Sequence, residues 1–273
     1  MSSREYRNAP IRPRVAIINQ KGGVGKTTTA VNMSAYLASL GYKTLLIDAD
    51  AQANSSISYG LDTNELDGTF YDFLISGTPL RSIVKNTMIQ QLDIIPSNDN
   101  LYAADLDLAQ LDDSKSFDIL FRKLEDCGRE YDFTIIDSPP HLGPLTLNIM
   151  RAADALIVPL KADFLALQGL AILYKTFLRV KKSLHQKLCL LGILITMYTQ
   201  SQNICRDVEN DLKNTFGKLI FDNKIPQNVT VAESPSFRRP VMLHGPKSPG
   251  AQKYKDFTLE FLRKIYGAIE NEQ

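Results

Sequence analysis

The sequence predicts an α/β fold in which a doubly wound, mostly parallel and twisted sheet carries helices on both faces. Six short runs are almost continuously apolar, as in strands covered on both sides, and helical patterns alternate with them. This alternation favours parallel strands joined by right-handed crossovers. No internal repeat or low-complexity linker divides the 273 residues, so we expect one domain over residues 14–273. The predicted strands are residues 14–19, 43–48, 92–96, 133–137, 155–160 and 188–196.

Between the strands, apolar residues recur at helical spacing in six segments. Three segments end at Gly41, Gly128 or Gly217, and glycine most readily adopts the left-handed conformation that follows a helix. Residues 1–13 are polar and lack the apolar core of a signal peptide, so we expect a mobile N-terminal arm there. The predicted helices are residues 27–40, 114–127, 145–150, 165–184, 203–216 and 250–269.

Charge and cysteine content narrow the class of protein. The net charge is +1, yet acids outnumber bases in residues 1–164 and bases outnumber acids in residues 165–273. This asymmetry suits either an anionic partner of the second half or a solvated basic face. Cys127, Cys189 and Cys205 lack CxxC spacing, which argues against a disulfide framework or a zinc site and favours a reducing cytoplasm. No apolar run reaches the length of a membrane span, so we expect a cytoplasmic location.

A glycine-rich loop between the first strand and the first helix predicts a nucleotide site. Residues 20–28 read QKGGVGKTT, which meets the end of the pattern GxxxxGK[ST] but has Gln20 in place of its first glycine. Such a loop turns its N–H groups toward phosphate, and the following helix directs its positive end there. Lys26 would neutralise β- and γ-phosphate charge and Thr27 would ligate Mg²⁺. The predicted binding residues are Lys21, Gly22, Gly23, Val24, Gly25, Lys26, Thr27 and Thr28.

Three carboxylates follow two of the predicted strands. Asp137 ends the apolar run FTIID, and Asp48 and Asp50 end TLLIDAD. The carboxyl ends of strands are where ligands collect in sheets of this kind. Asp137 suits an outer-shell role at Mg²⁺, and one or both of the other acids would face the γ-phosphate.

Five stretches resemble the ParA/MinD family of deviant P-loop ATPases, most closely its Soj-like branch of chromosome- and plasmid-partitioning ParA proteins. The residues that carry this resemblance span nearly the whole chain. They are NQKGGVGKTTTAVN (19–32), TLLIDADAQAN (44–54), YDFTIIDSPPHLGPLTLN (131–148), ALQGL (166–170) and PVMLHGPKSPGAQKY (240–254).

The resemblance implies a dimerising ATPase that uses ATP and Mg²⁺. In this family a lysine at the position of Lys21 reaches the phosphates bound by the other subunit of a nucleotide-sandwich dimer. Asp50 corresponds to the residue that orients the attacking water, Asp48 supports the Mg²⁺ shell, and Pro226 borders the adenine. The resemblance also implies slow hydrolysis, stimulation by a ParB-like partner, and ATP-dependent non-specific binding to the nucleoid.

The sequence departs from the family where Soj-like relatives carry DNA-gripping arginines. Those positions hold Ser201, Gln227 and Thr230, and the proline that usually follows the D-x-D pair is Ala51. Because non-specific DNA binding is mostly phosphate neutralisation, fewer cations predict weaker binding. Other basic residues offer compensation: Arg238 and Arg239, and a group on and after one helix (Lys175, Arg179, Lys181, Lys182 and Lys187).

The sequence gives less support to three other functions. A MinD-like membrane switch predicts a basic amphipathic C-terminal helix, whereas the segment here mixes Asp256, Glu260, Glu270 and Glu272 with its bases. An iron–sulfur relative needs paired cysteines beside the nucleotide. A module that binds ATP without turnover has no need of Lys21, Asp50 and Asp137 together.

Overall fold

The central feature of the fold is one seven-stranded sheet. The computed structural model describes residues 12–111, 116–126, 130–164 and 166–270. The strand order is β3-β4-β2-β5-β1-β6-β7, and every neighbouring pair is parallel except β3 with β4. The predicted α/β class and all six predicted strands are confirmed. The strands are β1 (Arg14–Ile17), β2 (Thr44–Asp48), β3 (Lys85–Asn86), β4 (Leu92–Ile95), β5 (Phe133–Asp137), β6 (Ala155–Lys161) and β7 (Cys189–Thr196).

Eleven α-helices lie within the described residues. The longest are α1 (Lys26–Ser39), α7 (Ala166–Ser183), α8 (Asn203–Phe216) and α11 (Pro249–Glu270). Gly41 and Gly217 adopt positive φ just beyond α1 and α8, as predicted, whereas Gly128 lies outside the described residues. The remaining helices are α2 (Asn54–Ser58), α3 (Leu80–Ile83), α4 (Ala104–Ala109), α5 (Ile119–Asp126), α6 (Pro144–Ala152), α9 (Val229–Glu233) and α10 (Val241–His244).

The sheet separates two apolar cores. Helices α1 and α11 pack on one face, where Phe133 contacts the rings of Tyr42, Phe261 and Tyr266. Helices α4 to α8 cover the other face. Every residue of β2 is buried, which is why the strands read as continuous apolar runs. The predicted N-terminal arm lies outside the described residues except for Arg12 and Pro13.

The sheet register fixes which residues meet at its carboxyl edge. Asp48 of β2 pairs with Asp137 of β5, and Asp137 pairs on its other side with Ile17 of β1. The glycine-rich loop begins just after Ile17. The fold therefore brings the loop and the predicted carboxylates to one place.

Candidate functional site

The glycine-rich loop joins β1 to α1 in a conformation that depends on its glycines. Gly23 and Gly25 have φ of 69° and 87°, values that side chains disfavour. Gly22 differs because its φ lies outside that range, and an added Cβ at Gly22, as at Gly23, would meet no atom within 4 Å. Gly25 caps α1 without any side-chain hydrogen bond, which leaves the first N–H groups of the helix available to an anion.

Two side chains that the sequence analysis missed anchor this loop to β6 and β7. Asn19 donates to the Pro159 carbonyl at 2.7 Å and accepts from the Lys21 amide at 3.0 Å. Thr196, the last residue of β7, donates to the Val24 carbonyl at 2.8 Å. The contacts of Asn19 with Pro159 and of Thr196 with Val24 join residues more than a hundred positions apart, so no local pattern indicates them.

Lys26 lies at the base of the loop and is 6% exposed. Its Nζ lies 3.4 Å from the Lys21 carbonyl. Burial lowers the pKa of Lys26 below its ordinary value, and the carboxylates of Asp137 and Asp50 offset part of that shift. A buried ammonium near two acids, at the start of a helix whose first N–H groups lack a side-chain cap, is an arrangement that a polyphosphate would complete.

Lys21 points elsewhere in the single chain. Its Nζ forms an ion pair with Asp163 Oδ2 at 2.5 Å, in the loop between β6 and α7. Both side chains are about one-third exposed. The two lysines of the loop are therefore separated: Lys26 is buried near Asp137 and Asp50, and Lys21 is partly exposed and paired with Asp163.

Asp137 lies at the end of β5 and is fully buried. Burial raises the pKa of its carboxyl, and the nearby hydroxyls of Thr27 and Ser55 and the Lys26 ammonium oppose that rise. Oδ2 accepts a hydrogen bond from Ser55 Oγ at 2.9 Å. Oδ1 is buried and accepts none from the described residues.

Asp48 and Asp50 occupy different environments. The fully buried Asp48 accepts from the Asp50 amide on Oδ1, and from the amide and hydroxyl of Ser56 on Oδ2. Burial and the charge of Asp137 raise its pKa. A contribution of Asp48 to a Mg²⁺ shell would therefore use its remaining lone pairs. Asp50 is 8% exposed and accepts from the Gln52 amide at 3.0 Å.

Pro226 lies at the same edge of the sheet, beyond β7. The segment around it pairs with Tyr198, whose amide donates to the Ile225 carbonyl at 2.9 Å. Thr196, which contacts the glycine-rich loop, is two residues from Tyr198. The structure thus places Pro226 beside the segment that follows β7, and its contact with adenine stays a prediction.

The residues present fit a magnesium nucleotide. Mg²⁺ usually takes one or two carboxylates, a hydroxyl and substrate phosphates rather than a cage of side chains. The unpaired Oδ1 of Asp137, directly or through water, and the half-buried Thr27 at the start of α1 would supply donors of these kinds. No group of three or more His, Cys, Asp or Glu side chains suited to a metal occurs among the described residues.

A family model and curated relatives show the family of this chain. Residues 13–190 match the family model described as "AAA domain". The chain is 38% identical over 250 residues to the chromosome partitioning protein ParA of Myxococcus xanthus, covering 92% of this chain and 88% of that protein. The chain belongs to the ParA/Soj family of partitioning ATPases.

Two further comparisons extend the likeness of this ParA-family ATPase. The sporulation initiation inhibitor protein Soj of Bacillus subtilis is 38% identical over 247 residues, covering 90% of this chain and 96% of that protein. A solved structure described as cobyrinic acid a,c-diamide synthase from Mycobacterium smegmatis, with bound ADP and magnesium, is 30% identical. It has a TM-score of 0.82 and covers 94% of this chain and 96% of that one.

The three positions that lack the family's arginines lie on adjoining segments of this ParA-family chain. Ser201 follows β7, and Gln227 is joined to that loop by hydrogen bonds to Tyr198 and Thr199. Thr230 packs against Gly245, in the turn between α10 and α11. Among the alternative cations, Arg238 and Arg239 are exposed.

The C-terminal helix of this ATPase is a packing element. Tyr254, Phe257, Phe261 and Ile265 on α11 are all buried in the core shared with α1. Its apolar face is therefore occupied within the fold. Within the residues described, the model contains no helix of the length and apolarity that a membrane crossing needs.

Proposed function

We propose that this protein is an ATP-dependent dimerising switch of the ParA type that positions DNA or another large cargo. ATP and Mg²⁺ bind at the glycine-rich loop, and ATP closes a sandwich dimer. The dimer binds non-specific DNA of the nucleoid, and a ParB-like partner stimulates slow hydrolysis to release it. Slow turnover suits a switch, because the bound state must outlast the search for cargo.

The separation of the two loop lysines carries this proposal. Lys26 is buried beside Asp137 and Asp50, as expected of a residue that binds phosphate in its own subunit. Lys21 is partly exposed and paired with Asp163, so it is not committed to the phosphates of its own subunit. A cation supplied by the partner would stabilise the charge that develops in phosphoryl transfer, so that hydrolysis requires the dimer.

Asp50 is the residue we assign to the attacking water. Its carboxylate is nearly buried, and one oxygen accepts a hydrogen bond from the backbone amide of Gln52. That bond fixes the orientation of the carboxylate beside the Lys26 side chain. Asp48 supports the loop that carries Asp50, through its own bond to the Asp50 amide.

The names of the relatives support DNA as the large partner of this protein. The curated relatives are named for chromosome partitioning. The basic second half of the chain supports an anionic partner, although Ser201, Gln227 and Thr230 supply no charge. A MinD-like membrane surface draws less support, because the apolar face of α11 is buried in the core.

Retention on non-specific DNA, measured with ATP or ADP across a salt series, tests this function. We expect wild type to bind with ATP and to be lost as salt rises. Asp50→Ala should remain bound longer, because its dimer cannot hydrolyse ATP. Absence of retention in both proteins at low salt, with ATP binding intact, would contradict the DNA-bound switch.

A further inference from the structure

Two buried carboxylates meet the first turn of α2. Asp48 and Asp137 are register partners on β2 and β5, and neither is exposed. Consecutive serines on α2 each donate to a different one of them. Ser55 Oγ lies 2.9 Å from Asp137 Oδ2, and Ser56 Oγ lies 2.7 Å from Asp48 Oδ2.

The donors are divided unequally between the two carboxylates. Asp48 receives three hydrogen bonds spread over both oxygens. Asp137 accepts the Ser55 hydroxyl on Oδ2 and has the Thr27 hydroxyl nearby, whereas its buried Oδ1 has no hydrogen-bond partner among the described residues. A buried carboxylate oxygen without a partner is costly, so its retention indicates a ligand that completes it.

We propose that Ser55 is a positioning residue for magnesium, which fixes the Asp137 carboxylate so that Oδ1 faces the Mg²⁺ shell. This inference rests on the proposed function. Rotation of an Asp carboxylate about its last bond is soft, and one hydrogen bond on Oδ2 selects an orientation. Hydrogen bonds to the oxygen that does not face the metal commonly set the geometry of such carboxylates.

The Ser55 hydroxyl is buried and directed to Asp137. Ser55 is fully buried, so water does not compete for its Oγ. Ser58, on the same helix, instead donates back to the Asn54 carbonyl at 2.7 Å, a bond internal to α2. Helix α2 begins at Asn54 after Ala53, whose φ of 53° turns the chain back toward the carboxylates. Ser55 and Ser58 therefore form a matched pair on one helix: Ser55 donates to Asp137, and Ser58 donates to the backbone of its own helix.

The experiment measures how much of a fluorescent ADP analogue the protein binds as the MgCl₂ concentration is raised. It distinguishes a serine that positions the Mg²⁺ site from one that only stabilises α2. Ser55→Ala should raise the half-saturating MgCl₂ concentration by about tenfold, the usual cost of losing a group that orients a metal ligand. Binding of the analogue in EDTA should match wild type. Ser58→Ala should leave both quantities unchanged. Equal half-saturation for Ser55→Ala and wild type would overturn the inference.

Two further proteins keep the test decisive. Ser55→Cys keeps nearly the same volume but donates weakly, so it should fall between wild type and Ser55→Ala even if the alanine variant folds poorly. Adding Ser55→Ala to Asp137→Asn should change the half-saturating MgCl₂ concentration little, because Ser55 acts on Mg²⁺ binding through the Asp137 carboxylate. A further rise in the double variant, equal to that caused by Ser55→Ala alone, would overturn the inference. If wild type itself binds nucleotide without Mg²⁺ dependence, the proposed function fails as well.

Discussion

At the scale of single residues, the glycines of the phosphate loop have different tasks. Gly23 is required by its backbone, since φ of 69° strains any side chain. Gly22 has no such constraint and no neighbour within 4 Å of an added Cβ. Neither the backbone nor a neighbouring residue therefore requires glycine at this position, and we expect its role to lie in the approach of phosphate to the loop.

Gly22→Ala and Gly23→Ala should therefore fail in different ways. Gly22→Ala should keep the wild-type unfolding free energy without nucleotide but lose ATP affinity. Gly23→Ala should lower the unfolding free energy by about 1–2 kcal/mol, the cost of left-handed backbone for an L residue. Urea unfolding and ATP titration measure the two effects. Equal destabilisation by both substitutions would contradict this division.

The ion pair between Lys21 and Asp163 competes with any use of Lys21 across a dimer. Asp163→Asn removes the charge that holds the lysine, so we expect ATP-dependent dimers at a lower protein concentration. The change should be only a few-fold, because partly exposed ion pairs contribute about 0–1 kcal/mol. Sedimentation with ATP measures it, with the exposed Asp211→Asn as control. If Asp163→Asn and wild type form dimers at the same protein concentration, the ion pair with Asp163 does not restrain Lys21.

At the scale of elements, length and pattern decided what could be predicted. Strands β1, β2 and β4 to β7 were predictable because burial on both faces leaves a continuous apolar run. Strand β3 is two polar residues, Lys85–Asn86, and carries no such signal. Helices α2, α3, α9 and α10 have four or five residues each, too few to show a helical period.

The residues of the candidate site also differ in whether a local sequence pattern marks them. Lys26, Thr27 and Asp137 were predictable because a loop motif or the end of a strand marks them. Ser55 and Asp163 were not, since their roles come from contacts with residues distant in the sequence. Packing of whole elements creates these contacts, and no local pattern records them.

Two buried glutamates hold the segment that leads to Pro226. Glu260 of α11 accepts from the amides of Asp222 and Asn223. Glu209 of α8 binds Lys224 at 2.6 Å and Lys213 at 2.7 Å. Both helices thus fix one side of the proposed base site. Burial alone would raise the pKa of Glu209, but hydrogen bonds from Lys213, Lys224 and Tyr198 lower it to about 2.

This lowered pKa predicts a definite pH dependence. The ionised Glu209 stabilises the fold above its ordinary pKa of 4.5, and that contribution is lost as pH falls toward 2. Glu209→Gln should therefore be less stable than wild type at neutral pH, with the difference shrinking below pH 4.5. Urea midpoints between neutral pH and the acid limit of folding measure it, with the exposed Glu233→Gln as control. A constant difference would contradict the assignment.

At the scale of the whole molecule, the proposed DNA surface rests on few cations. Arg238 and Arg239 are exposed in the same C-terminal half as the three positions that lack arginine. Replacing both with alanine should weaken ATP-dependent DNA retention and reduce the slope of log affinity against log salt by about 2. Lys253→Ala with Lys255→Ala, on the exposed side of α11, is the matched control. An unchanged slope would show that Arg238 and Arg239 do not contact DNA.

The central claim is that each active site takes Lys21 from the other subunit. Mixing Lys21→Ala chains with Asp50→Ala chains tests it directly, because each protein alone lacks a residue at both sites. In a mixed dimer, the site on the Lys21→Ala chain keeps its own Asp50 and receives Lys21 from its partner. We predict that the mixture hydrolyses ATP when neither protein alone does. Continued inactivity, despite mixed dimers detected by sedimentation, would contradict the account.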